Sequence, residues 1–109
     1  VVYIHVCDLA EGHVKAIKFI DSHEPGIEVF NLGTGKGTSV KAAVAAFEKA
    51  CGHAIPHVIG PRRPGDLPVC YASTYKAEKL LGFKATRNIE DMCSSCWNWQ
   101  QKNPNGLQA

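Results

Sequence analysis

Three stretches of the chain repeat apolar residues at helical intervals. Leu9, Val14, Ile17 and Ile20 lie near the helical period and predict one apolar face, ending around Asp21 to Ser22. Asp8, with Glu11 three positions on, predicts a capping box at the start of that helix. Val40, Ala43, Val44, Phe47, Ala50 and Cys51 trace the stripe of a second helix, capped by Thr38 or Ser39 and stopped by Gly52 in the left-handed position. Ile89, Met92, Cys93, Cys96 and Trp97 recur at i, i+3, i+4, i+7 and i+8, a third stripe that Asn88 opens and Asn103-Pro104-Asn105-Gly106 closes. Asp91 falls in its first turn, where a carboxylate suits the helix dipole. A smaller helix, Thr74 to Leu81, is predicted between these, with Ser73 as cap and Gly82 as stop.

The other apolar runs are short and rich in β-branched residues. Val1 to Val6, Ile27 to Leu32 and Ile55 to Ile59 predict strands, and Val69 to Ala72 a brief extended piece. Short strands separated by helices belong to a larger sheet, so the predicted class is α/β and the chain reads as part of a bigger body. Asn31 to Ser39 is a glycine-rich loop between a strand and a helix, an order that invites a phosphate-binding reading. Its spacing fails that reading: Thr38 stands where a third glycine is needed, and no Gly-Lys-Ser/Thr run is present. A tight strand-to-helix connection is the better expectation.

Composition narrows the partners. A net charge of +2 with dispersed Lys and Arg makes no nucleic-acid face. No apolar run approaches the roughly 18 residues of a membrane span. Five cysteines at irregular spacing argue against a disulfide framework and for a reducing, cytoplasmic setting. Cys93-Ser94-Ser95-Cys96 matches C-x-x-C, but no second ligand pair completes a zinc site, and both thiols fall on the apolar stripe of the last helix. Packing explains them.

Chemistry concentrates at Pro61-Arg62-Arg63-Pro64-Gly65-Asp66. Two guanidinium groups stand between prolines, followed by a turn and a carboxylate. Arg carries a planar fork of donors suited to phosphate oxygens, and each proline restrains its neighbourhood. These residues alone fit an anion site and an exposed basic turn equally well.

Many segments together resemble the UDP-sugar 4-epimerases of the extended short-chain dehydrogenase/reductase family. They are Tyr3-Ile4-His5-Val6, Asp8-Leu9-Ala10, Gly12-His13, Asn31-Leu32-Gly33-Thr34-Gly35, Ser39-Val40, Ala46-Phe47, Lys49-Ala50 and Gly52. Pro61-Arg62-Arg63, Gly65-Asp66, Tyr71-Ala72-Ser73, Lys76-Ala77, Trp97, Trp99 and Asn103-Pro104 continue the series. The resemblance implies that residues 1–109 are the carboxyl-terminal, substrate-binding portion of such an enzyme, with the NAD-binding Rossmann domain outside this chain. It implies an isomerase interconverting UDP-galactose and UDP-glucose in galactose metabolism, homodimeric when full length, with these residues inactive by themselves. The alternatives are a standalone nucleotide- or anion-binding module, or another sugar-nucleotide epimerase or decarboxylase of the superfamily.

By the same resemblance, Arg63 is the arginine that meets the diphosphate, Asp66 the acid that binds the uridine ribose hydroxyls, and Cys70 the residue bordering the sugar's 2-substituent. Arg62 is the structural neighbour. The small Cys70 thiol leads us to expect that UDP-N-acetylglucosamine and UDP-N-acetylgalactosamine can enter. No catalytic, cofactor-binding or metal-binding residue is expected here, since the family's glycine fingerprint, Tyr-x-x-x-Lys pair and catalytic Ser or Thr lie earlier. Tyr75 and Lys79 satisfy Tyr-x-x-x-Lys as text only. One departure stands out: Val1-Val2 occupy the place of the family's Arg-Asp, whose arginine is a second diphosphate ligand.

Overall fold

The computed structural model describes residues 2–107. Among the described residues are four helices: α1 (Val6–Ser22), α2 (Val40–Cys51), α3 (Tyr75–Leu81) and α4 (Ile89–Lys102). They pack as two pairs, α2 on α4 and α1 on α3.

The caps follow local chemistry. Ser39 accepts from the Ala42 amide, and Gly52 ends α2 at φ 80°. At α4, Asn88 accepts from the Asp91 amide while the Asp91 carboxylate accepts from the Asn88 amide, a reciprocal box that ties down two orphan donors. Gly82 closes α3 at φ 66°, its N–H bonding to Ala77 and Glu78 carbonyls. Thr74, not Ser73, is the N-cap of α3, and it makes no side-chain cap bond. Its hydroxyl instead donates to Glu78 Oε1 at 3.2 Å.

The start of α1 differs from the expected capping box. The N-cap is His5, whose Nδ1 accepts from the Cys7 amide at 3.0 Å. With Nδ1 an acceptor, the neutral ring carries its proton on Nε2, which donates to Ser95 Oγ at 3.0 Å. This clasp joins the beginning of α1 to α4. Asp8 is released from capping and turns inward.

The α1/α3 pair closes on a small core of Ala77 and Phe83, both buried. Gly12 is buried beside them, and a methyl group there would meet Leu32 and Phe83. Between α2 and α4, Phe47 packs edge-on against Trp97 at 6.3 Å and the Cys93 thiol lies 4.0 Å from the Ala43 carbonyl. Cys93 is buried, whereas Cys96 is exposed, so the expectation of two buried thiols holds for only one of them. Three residues on, Cys96 sits about 60° round α4 from Cys93, which is enough to leave it exposed.

No strand forms among the described residues, against the expectation of a few short ones. Residues 27–32, 55–59 and 69–72 bond no neighbouring segment in a ladder, because the described residues supply none in register. Of the predicted strand Val1 to Val6, Val1 lies outside the described residues and Val6 opens α1. The expected apolar face of α1 is likewise unpacked along much of its length, with Ile17 60% exposed.

Dimensions agree. The accessible surface is 8498 Å², whereas a self-contained protein of 11.8 kDa exposes about 5,900 Å². The radius of gyration is 17.0 Å, against about 13 Å for a compact chain of this length. Large apolar side chains contribute to it: Val14, Ile20, Ile27, Val29, Val58 and Ile59 all face outward.

Candidate functional site

Residues 60–71 form an exposed loop. Gly65 turns it at φ 86°, a conformation that side-chain-bearing residues resist. The turn brings Arg63 and Asp66 together. Arg63 Nε donates to Asp66 Oδ2 at 2.9 Å and Nη2 to Oδ1 at 3.3 Å, while Arg62 Nη2 donates to the Asp66 carbonyl at 3.0 Å. Asp66, through hydrogen bonding and then its charge, holds the Arg63 pKa above the ordinary guanidinium value. The Arg63 side chain is 76% exposed, so the pair is solvated and readily exchanged.

Two of the three expected substrate residues are therefore adjacent, each presently the other's partner. Cys70 is exposed further along the same segment and hydrogen-bonds to neither. Five concavities among the described residues take no wall from residues 53–71. The loop presents its donors and acceptor without a pocket around them. The Tyr75/Lys79 pair sits on exposed turns of α3, with the Lys79 ammonium 5.9 Å from the Tyr75 ring centroid, and lines none of these concavities.

An ion pair with a buried member lies elsewhere and was missed by reading Asp8 as a cap. Its side chain is fully buried. Oδ1 accepts from Arg87 Nη1 at 2.7 Å and from the Thr86 hydroxyl at 3.4 Å, and Oδ2 from the Arg87 amide at 3.0 Å. Arg87 Nη1 also reaches Glu11 Oε1 at 3.2 Å. Burial pushes the Asp8 pKa up, but hydrogen bonds from Arg87 and Thr86, with the guanidinium charge, outweigh it and leave the group below its ordinary value. The signal was the Asp8/Glu11 pair on one helical face, which suits a shared cation as well as a cap.

Arg87 also lines a cavity of about 340 Å³ with Tyr3, Lys36, Thr38 and Lys84, beside the capped start of α4. Its guanidinium is engaged by Asp8 and Glu11, so its role is to join α1 to the approach to α4. Burial raises the Cys93 pKa, reinforced by Cys96 and Glu90, which keeps that thiol protonated and unreactive. No cluster of three metal-ligating side chains occurs among the described residues.

Known proteins complete the picture. UDP-glucose 4-epimerase of Bifidobacterium longum subsp. longum is 58% identical over 106 residues, 97% of this chain and 31% of that protein. The chain is a relative of the UDP-glucose 4-epimerases. UDP-glucose 4-epimerase 2 of Arabidopsis thaliana is 57% identical over 107 residues, again 31% of its length. The fold agrees with that of the crystallised Bifidobacterium longum epimerase in complex with NAD+ and UDP, with a TM-score of 0.89 over 97% of this chain and 31% of that one. A Stenotrophomonas maltophila epimerase with bound NAD and formylated UDP-arabinopyranose matches with a TM-score of 0.87 at 42% identity, over 94% of this chain and 30% of that one. The chain spans about a third of the length of the epimerases it matches. No protein-family profile matches it.

Proposed function

We propose that this chain is the substrate-binding, carboxyl-terminal portion of an NAD-dependent UDP-glucose 4-epimerase that interconverts UDP-galactose and UDP-glucose. The observation that carries the reading is the 58% identity to the Bifidobacterium longum enzyme over 97% of the chain. The excess apolar surface supports it, because such a face needs the remaining polypeptide to cover it. The Rossmann domain and its NAD belong to that remainder, and the full-length enzyme is a cytoplasmic homodimer.

Within this chain, Arg63 and Asp66 bind and orient the UDP moiety. In the unliganded loop they neutralise each other across 2.9 Å. On binding, Arg63 transfers its fork of donors to the diphosphate, and the freed Asp66 carboxylate accepts the two vicinal ribose hydroxyls. Breaking a solvated pair costs little, so the exchange is favourable once the pocket closes. Cys70 borders the sugar's 2-substituent, and its small side chain leaves room for an N-acetyl group. NAD, when bound, supplies the hydride chemistry at C4.

Assays of turnover test the reading. The 109 residues mixed with NAD and UDP-galactose should form no UDP-glucose. The same residues replacing the matching third of the Bifidobacterium longum enzyme should restore epimerisation. Turnover by the chain alone, or a folded but inactive chimera, contradicts it.

A further inference from the structure

The three glycines of the 33–37 loop all lie against residues 69–74. A methyl group built on Gly35 would sit 3.5 Å from Thr74 Oγ1, and one on Gly37 3.6 Å from Val69 Cγ1 and Tyr71 Cδ1. These are ordinary contacts. Gly33 is different: its methyl would lie 3.1 Å from Ala72 Cβ. Gly33 is buried and its φ is not positive, so this position uses the missing side chain rather than the backbone freedom of glycine.

Ala72 Cβ is fixed to its backbone and has no rotamer by which to retreat. Crowding at Gly33 can therefore be relieved only by moving the loop or the 69–74 backbone, by a few tenths of an ångström. Residues 69–72 have no ladder to hold them, so their resting depth is set by such side contacts. Cys70 stands two residues before Ala72, and Asp66 six before it.

We propose that Gly33 is a positioning residue for the nucleotide-sugar site: the space it leaves for Ala72 sets where the segment carrying Cys70 lies against the sugar. This rests on the reading of Arg63, Asp66 and Cys70 given above. The effect falls on substrate fit, and most on discrimination at the sugar's 2-substituent.

The test uses the full-length enzyme carrying these residues, or the Bifidobacterium longum chimera. Gly33→Ala should raise KM for UDP-galactose about fivefold with kcat within about twofold, since a sub-ångström misplacement of binding groups is costly. It should also change the ratio of kcat/KM for UDP-galactose to that for UDP-N-acetylgalactosamine. Gly37→Ala should do neither. Gly33→Ala combined with Ala72→Gly removes the crowding and should return both quantities to within about twofold of the parent, a rescue that general destabilisation would not give. A folded Gly33→Ala variant with unchanged KM and ratio, or a double variant that fails to restore them, overturns the proposal. Should Gly33→Ala not fold, Ala72→Val crowds the same contact from the other side, and an unchanged KM there is equally fatal. Arg63→Ala separates the two levels. If it raises KM while Gly33→Ala does not, only the positioning role fails; if neither does, the substrate-loop reading fails and takes this role with it.

Discussion

Replacing Asp8 by Ala should destabilise the fold severely. The carboxylate is fully buried, accepts three hydrogen bonds from residues 86 and 87, and joins α1 to the chain entering α4. Removing one partner of a buried ion pair costs about 3–5 kcal/mol. The lower end applies here, because the Arg87 left behind is 33% exposed and keeps Glu11. About 3 kcal/mol corresponds to a Tm loss of about 12–24 °C in a domain of this size. Urea and thermal unfolding followed by Trp97 and Trp99 on α4 would measure it. A loss of less than about 4 °C would refute the reasoning.

Acid adds an independent check. Asp8 has a folded pKa below its ordinary value of 3.8, so its stabilisation is fully present above 3.8 and disappears as pH falls through the lower folded value. In Asp8→Asn that step of acid dependence should be missing.

Three further outcomes are expected. Gly82→Ala should cost about 1–2 kcal/mol, because α3 ends there at φ 66°; unchanged urea unfolding would argue against the cap. Alkylation by iodoacetamide under native conditions should modify exposed Cys7, Cys70 and Cys96 well before Cys93, as read by mass spectrometry; equal rates would contradict the buried, protonated thiol. The isolated chain should self-associate through its uncovered apolar faces, so its elution in size-exclusion chromatography should shift with concentration, whereas a constant monomer would show those faces to be harmless.

The helices were legible because their signals are local. The Val40 to Cys51 stripe, with Thr38 or Ser39 before it and Gly52 after it, gave α2 to within a residue, and Asn88 gave the start of α4. The strands were not, since a strand is a relation between segments and residues 27–32 meet none in register here. The same cause explains Val14, Ile17 and Ile20, correctly periodic but without anything to pack on. Asp8 was misread because an acid near a helix start serves equally as cap or as partner to a distant cation, and Arg87 is 79 positions away. In the candidate site, the chemistry of Arg63 and Asp66 was readable from residue type and turn. Their mutual pairing was not, because it depends on how Gly65 folds the loop back.

Calorimetric titration of UDP into the Bifidobacterium longum chimera, with and without Arg63→Ala, tests the central claim most directly. If Arg63 leaves Asp66 for the diphosphate, the substitution should weaken UDP binding about tenfold or more, as expected for a lost charge-assisted contact. Equal affinity in the two proteins would show that the loop holds no part of the nucleotide.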